Sequence, residues 1–208
     1  MGDAPTFNRR SSDWDSVPPP MAVTDEIISL CRQKVESPSK SQLRALYLKL
    51  VGWRFKAREI GEGFQWGRSA KIAGARIGRY VYVADGSDLS GPVTIGDLTM
   101  VSTNVRFVGA DHIYSDAGRP MRVNFNIDQR PATVIEADCW IGHGATLLEG
   151  VRLARGTVIA SGAVVTKSTL PYSIVRGVPA SAFKSRFDDP SQCEQHDKLL
   201  YGQVRPIS

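Results

Sequence analysis

The chain has 208 residues, 42% of them hydrophobic, enough for one continuous core with at most a small appendage. Its net charge of +5 can draw an anionic cofactor or substrate, but no nucleic-acid-binding motif accompanies it, so a nucleic-acid partner is not expected. No apolar stretch reaches the ~18 residues of a membrane span, and Met1 to Pro20 lacks the apolar run of a secretory signal.

Residues 1–20 are polar, end in Pro18-Pro19-Pro20 and read as a flexible arm. Residues 21–58 read as a helical segment. Thr24 is a candidate cap for a helix carrying Ile27, Ile28, Leu30 and Cys31, which Pro38 should end. Ser39 or Ser41 then opens a second helix with Leu43, Leu46, Tyr47 and Leu50 at three- and four-residue spacing. Its end is basic, with Lys49, Arg54, Lys56 and Arg58. Such a run either solvates one face and favours a helix C-terminus, or marks a membrane-surface helix. The two helices are expected to form an appendage on the body that follows. Cys31, Cys139 and Cys193 form neither a zinc pattern nor a disulfide framework, which suits a reducing cytoplasm.

From about residue 59 to 182 the pattern is a repeat. Ile60, Trp66 and Ile72 are six apart, and a five-residue step leads to Ile77. Two unbroken runs follow at the same period: Ile77, Val83, Leu89, Ile95, Val101, Phe107, and then Ile135, Ile141, Leu147, Leu153, Ile159, Val165. A period of six is neither a helix nor ordinary strand alternation. It describes one side of a triangular coil: a short strand with an inward aliphatic, then a corner of Gly, Asn or Asp. Three sides make a coil of about eighteen residues, and coils stack as parallel strands because no coil can bury its own face alone. Residues 183–208 read as a C-terminal tail.

Between Phe107 and Ile135 the spacing is 28 residues where six are expected, leaving 22 extra, Ile113 to Val134. A long insertion in a compact repeat is usually functional. His112 stands where it begins. An imidazole there is the natural group to take a proton from a hydroxyl or an amine. Asp111 precedes it, but adjacent side chains on a strand point to opposite faces, so it is a weak candidate for orienting the ring. His143 lies in the resumed repeat and His196 in the polar tail.

The segment VIEADCWIGHGATLLEGVRLARGTVIASGAVVTK, Val134 to Lys167, followed by IVRGVPA, Ile174 to Ala180, resembles the hexapeptide-repeat acyltransferases, closest to the maltose/galactoside and polysaccharide O-acetyltransferases. The resemblance covers about residues 60–187; the preceding residues do not match clearly. It implies a mainly β fold, a left-handed parallel β-helix of about five coils, assembled as a homotrimer. It implies acetyl-CoA between two subunits and direct transfer to the acceptor. By this likeness His112 is the general base and the His143 amide is the oxyanion donor, although a serine is common at that place. Trp140 would wall the site. Gly142, Ala160 and Ser161 would lie along the pantetheine arm, and Thr166, Lys167 and Arg186 near the CoA phosphates. Asp85 and Asp88 fall where the family binds its acceptor.

These readings combine into an acetyl-CoA-dependent transferase of an acetyl group to a saccharide hydroxyl, without a metal. Two alternatives remain: an N-acetyltransferase of an amino sugar or antibiotic, and a non-catalytic scaffold. A γ-type carbonic anhydrase shares the β-helix but needs three histidines around zinc; His112 and His143 are 31 residues apart and His196 is outside the repeat.

Overall fold

The computed structural model describes residues 19–35, 37–109, 112–125 and 130–206. Its strands are two or three residues long over most of the body, far too short to stand alone, and all but the last pair in parallel with the coil above or below. Three faces result. The first stacks Glu59–Ile60, Arg76–Ile77, Val93–Ile95, Thr133–Ile135 and Arg152–Leu153. The second stacks Gln65–Trp66, Tyr82–Val83, Met100–Val101, Trp140–Ile141, Val158–Ile159 and Ser173–Gly177, with Ala180–Ser185 added antiparallel through a turn holding a cis Val178–Pro179 bond. The third stacks Arg106–Val108, Thr146–Leu148 and Val164–Val165. This is a left-handed parallel β-helix.

The sixfold period is the register of these faces. Ile60, Ile77, Ile95, Ile135 and Leu153 are direct neighbours on the first face, and Val83, Val101, Ile141 and Ile159 on the second. From Ile77 onward every aliphatic of both runs is buried in one column. Ile95 pairs with Ile135, and Phe107 with Leu147, so the stack closes across the insertion without a gap. The sheet resumes at Thr133, so Thr133 and Val134, expected to end the insertion, are already strand.

Corners depart from the expectation in one column. Gly86, Asn104, Gly144 and Gly162 turn one corner with φ of 74°, 59°, 67° and 70°, as small residues should. Between the first and second faces, however, Tyr80, Leu98 and Tyr172 hold φ of 54°, 65° and 55°, alongside the expected Asp138 at 56°. Neighbouring glycines make the room. A Cβ on Gly63 would come within 2.7 Å of the Tyr80 ring, and one on Gly156 would strike the Tyr172 ring.

Among the described residues the α-helices are α1 (Asp25–Lys34), α2 (Pro38–Val51) and α3 (Pro190–Tyr201). Thr24 occupies the N-cap of α1 but its hydroxyl makes no capping bond; its backbone N–H donates to Leu200 O at 2.8 Å. Pro38 opens α2 instead of closing α1, since the first helical position needs no N–H. The expected tail contains α3, which its weak apolar pattern did not announce: only Asp197 and Leu200 are buried on it. A capping box of Asp189 and Gln192 starts it and Gly202, at φ 73°, stops it. Val23, Ile27 and Ile28 pack with Tyr80, Ala137 and Leu200, so α1 and α3 together cover the corner between the first and second faces.

Candidate active site

His112 is exposed at the mouth of the insertion. It bridges antiparallel to Phe125, whose ring meets the imidazole edge-on at 6.2 Å, and Ile113 N–H donates to Asn124 O at 2.8 Å. The insertion thus folds back on itself. His112 Nδ1 lies 2.9 Å from Met121 O. A carbonyl only accepts, so Nδ1 carries a proton and, in the neutral ring, Nε2 holds the lone pair. That is the tautomer a general base requires. Asp111, considered for orienting the ring, lies outside the described residues. The chain returns past Arg130, whose Nε donates to Glu149 Oε2 at 3.0 Å; the Glu149 side chain is 1% exposed.

Six of the other candidates follow the second face and its next corner. Tyr82, Met100 and Trp140 are register partners, all exposed, and form an apolar row; Trp140 Nε1 donates to Ser102 Oγ at 3.3 Å. Beyond the strands, the same register aligns Asp85, Thr103, His143 and Ser161 along the corner, with Gly142 and Ala160 beside them. His143 Nδ1 lies 2.6 Å from Thr103 Oγ1. The backbone–backbone hydrogen bonds among the described residues leave the amides of Asp85, Thr103, His143 and Ser161 without an acceptor. Small size at Gly142 has a cause inside the fold: a Cβ there would come within 2.7 Å of Ile159 O and Ser161 N.

Asp85 is exposed and accepts from Ser69 N–H at 3.1 Å and Ser69 Oγ at 3.0 Å, which hold its carboxyl below the usual range. Asp88 sits a side further on, bridging Lys71 and Arg106. Partial burial pushes its pKa up, but Ser90 and Lys71, the latter at 3.5 Å, outweigh it and lower the value. Both carboxylates are ionised and partly engaged in holding corners.

Thr166 and Lys167 follow the third face, in register two coils beyond Val108 and Gly109, where the insertion leaves. They share a corner with the base of His112, not with His143. Arg186 is apart from both. It bonds Asp138 Oδ2 at 2.6 Å on the corner covered by α3, beside His196, which lies 2.9 Å from the same oxygen. Within one chain Arg186 lies apart from Thr166 and Lys167, because the hairpin after Ser173 turns the backbone back to the corner between the first and second faces. Thr103, Ser102 and the Met121 carbonyl were not singled out from the sequence. Thr103 was within reach: it lies 40 positions before His143, one coil plus the insertion. Among the described residues no group of three or more His, Cys, Asp or Glu side chains could hold a metal.

Residues 132–167 match the family described as bacterial transferase hexapeptide (six repeats). A chloramphenicol acetyltransferase of Agrobacterium fabrum is 48% identical over 59 residues, 28% of each chain. A probable macrolide acetyltransferase of Lysinibacillus sphaericus is 44% identical over 71 residues, 33% of this chain and 39% of that one. The chain thus spans less than half the length of these curated relatives. Among solved structures, a hexapeptide-repeat acetyltransferase from Vibrio cholerae superposes with a TM-score of 0.57 at 25% identity, over 74% of this chain and 84% of that one. It has also been solved with acetyl coenzyme A, at a TM-score of 0.52 and 24% identity. A maltose O-acetyltransferase from Clostridium difficile 630 gives 0.56 at 22% identity, over 64% and 71% of the two chains. Over residues 132–167 the chain therefore carries the bacterial transferase hexapeptide repeat, folded as the β-helix of the hexapeptide-repeat acetyltransferases.

Proposed function

We propose that this protein is an acetyltransferase that moves the acetyl group of acetyl-CoA directly to a hydroxyl of a saccharide, with His112 as general base. The observation that carries the reading is the Met121 carbonyl on Nδ1 of the exposed His112, which makes Nε2 the lone-pair nitrogen of the neutral ring at the mouth of the insertion. In this reaction Nε2 takes the acceptor's hydroxyl proton as its oxygen forms a bond to the thioester carbonyl carbon. The His143 amide, which no backbone carbonyl among the described residues engages, donates to the resulting oxyanion. The C–S bond then breaks, and the departing thiolate receives the proton from His112. No acyl-enzyme is formed.

Within one chain, His112 leaves from the corner after the third face, whereas the His143 column lies on the corner after the second. A site that uses both is completed between two copies. The exposed row Tyr82, Met100 and Trp140 supports a subunit contact there, in a homotrimer. Trp140, Gly142, Ala160 and Ser161 would meet the donor, Thr166 and Lys167 its phosphates, and Asp85 and Asp88 the acceptor. Arg186, held by Asp138, has the weakest claim. No described helix is long and apolar enough to cross a membrane, and a cytoplasmic location, where acetyl-CoA is made, fits the reading.

The relatives named for chloramphenicol and macrolides favour a second reading, an antibiotic as acceptor, including N-acetylation of an amino sugar or antibiotic. The test is release of free thiol from acetyl-CoA against a panel of sugars, amino sugars, chloramphenicol, a macrolide and aminoglycosides. Turnover with saccharides alone supports the first reading, and turnover with antibiotics the second. No thiol release with any acceptor, and no thermal shift with acetyl-CoA, would leave a scaffold.

A further inference from the structure

The helix α2 docks on the first coil by only one side. Leu48 and Phe55 pack against the core, Phe55 meets Phe64 and Trp66 edge-on, and Tyr47 stacks on Trp66 at 5.8 Å. Away from that contact, Leu43, Leu46 and Leu50 recur at three- and four-residue spacing and are 69%, 53% and 65% exposed, and Trp53 just past the helix is 77% exposed. Three leucines on one helical face and a tryptophan at its end make an apolar stripe that the fold itself does not use.

The charge around it is one-sided. From Ser37 to Arg58 there are six basic residues, Lys40, Arg44, Lys49, Arg54, Lys56 and Arg58, and no Asp or Glu. Removing these six from the chain's 26 Lys and Arg leaves 20 against 21 Asp and Glu, so the whole positive excess of the protein resides in this segment. At 100° per residue, Lys40 and Lys49 fall on opposite flanks of the leucine stripe. Beside it a groove of about 330 Å³, lined by Lys40, Leu43, Arg44, Tyr47 and Trp66, continues the same mixture of cation and apolar surface.

We infer that this face of α2 binds an anionic membrane surface, lying in the headgroup plane with Leu43, Leu46, Leu50 and Trp53 in the acyl boundary and the flanking cations on acidic lipid phosphates. An interfacial helix needs this pairing of an apolar stripe with basic flanks, and no spanning length. A contact with the same face of a second copy would bring the flanking Lys40 and Lys49 of each copy toward like charge, which disfavours self-association through this face. The inference does not depend on the acetyltransferase reading.

The test is sedimentation of the full chain with phosphatidylcholine vesicles, with and without phosphatidylglycerol. The protein should pellet with the phosphatidylglycerol vesicles at least ~10-fold more strongly, and high salt should weaken this. Leu43→Gln/Leu46→Gln/Leu50→Gln and, separately, Lys49→Glu/Arg54→Glu/Lys56→Glu should each abolish it with unchanged circular dichroism, since all are surface changes. Equal or absent pelleting with the two vesicle types overturns the inference, as does undiminished binding by the triple-Gln variant. If the parent ignores vesicles and the triple-Gln variant changes oligomeric state by light scattering, a second copy covers the stripe and the inference is equally overturned.

Discussion

His112 illustrates how much a single contact decides. Its donation from Nδ1 to the Met121 carbonyl, at 2.9 Å, fixes which nitrogen can act as base. His112→Ala should lower turnover by about two to four orders of magnitude, the usual share of a general base, with acetyl-CoA affinity little changed; an equally active variant removes His112 from the reaction. His143 offers the complementary test. If its backbone N–H is the donor, His143→Ala retains it and turnover should fall by less than about tenfold, whereas loss of a donor costs about 10²–10³. A fall of that larger size would assign the work to the imidazole held by Thr103. His112 could be singled out from the chain because a period breaks beside it. Its partner Met121 could not, because a carbonyl nine residues into a patternless insertion carries no signal.

At the scale of elements, α3 is held by two carboxylates. Asp197 accepts from Arg155 at 2.6 and 2.8 Å and from Tyr172 Oη at 2.5 Å, with Arg155 only 4% exposed. Asp197→Asn leaves a buried guanidinium without its counter-charge and should cost about 3–5 kcal/mol, read as a lower denaturant midpoint. Asp138 binds Arg186 and His196. Burial pushes the pKa of both carboxyls up, but the bonds to these partners outweigh it, so both are depressed. A depressed carboxylate stabilises the fold above its unfolded pKa of about 3.9, and that share is lost as pH falls through the folded value. Melting temperature should therefore drop below about pH 4, and Asp138→Asn should flatten the decline; an unchanged acid limb would show that Asp138 does not link α3 to the body. None of this was visible in the chain. The helix buries little apolar surface, and its anchors are pairs separated by 42 and 58 residues.

At the scale of the molecule, Tyr82, Met100 and Trp140 form an exposed apolar row along a face that the β-helix leaves open. Met100→Asp puts a charge at its centre. On the proposed homotrimer reading, the protein should pass by light scattering to a smaller species and lose thiol release, with its circular dichroism intact. An oligomeric state unaffected by Met100→Asp would overturn the proposed subunit contact on this face.

What the chain alone determined is the scaffold. A six-residue aliphatic period admits one economical packing, and the registers Ile77–Ile95–Ile135–Leu153 and Val83–Val101–Ile141–Ile159 follow it across the insertion. Periodicity is local information, repeated until it is unambiguous. Tertiary structure alone decided the rest: the His112 tautomer, the alignment of His143 with Thr103 and Ser161, the diversion of Arg186 to Asp138, and the anchoring of α3. Each depends on a few polar atoms meeting across a corner or a loop. Such meetings have no period, because direction and distance, and not burial, make a hydrogen bond or an ion pair.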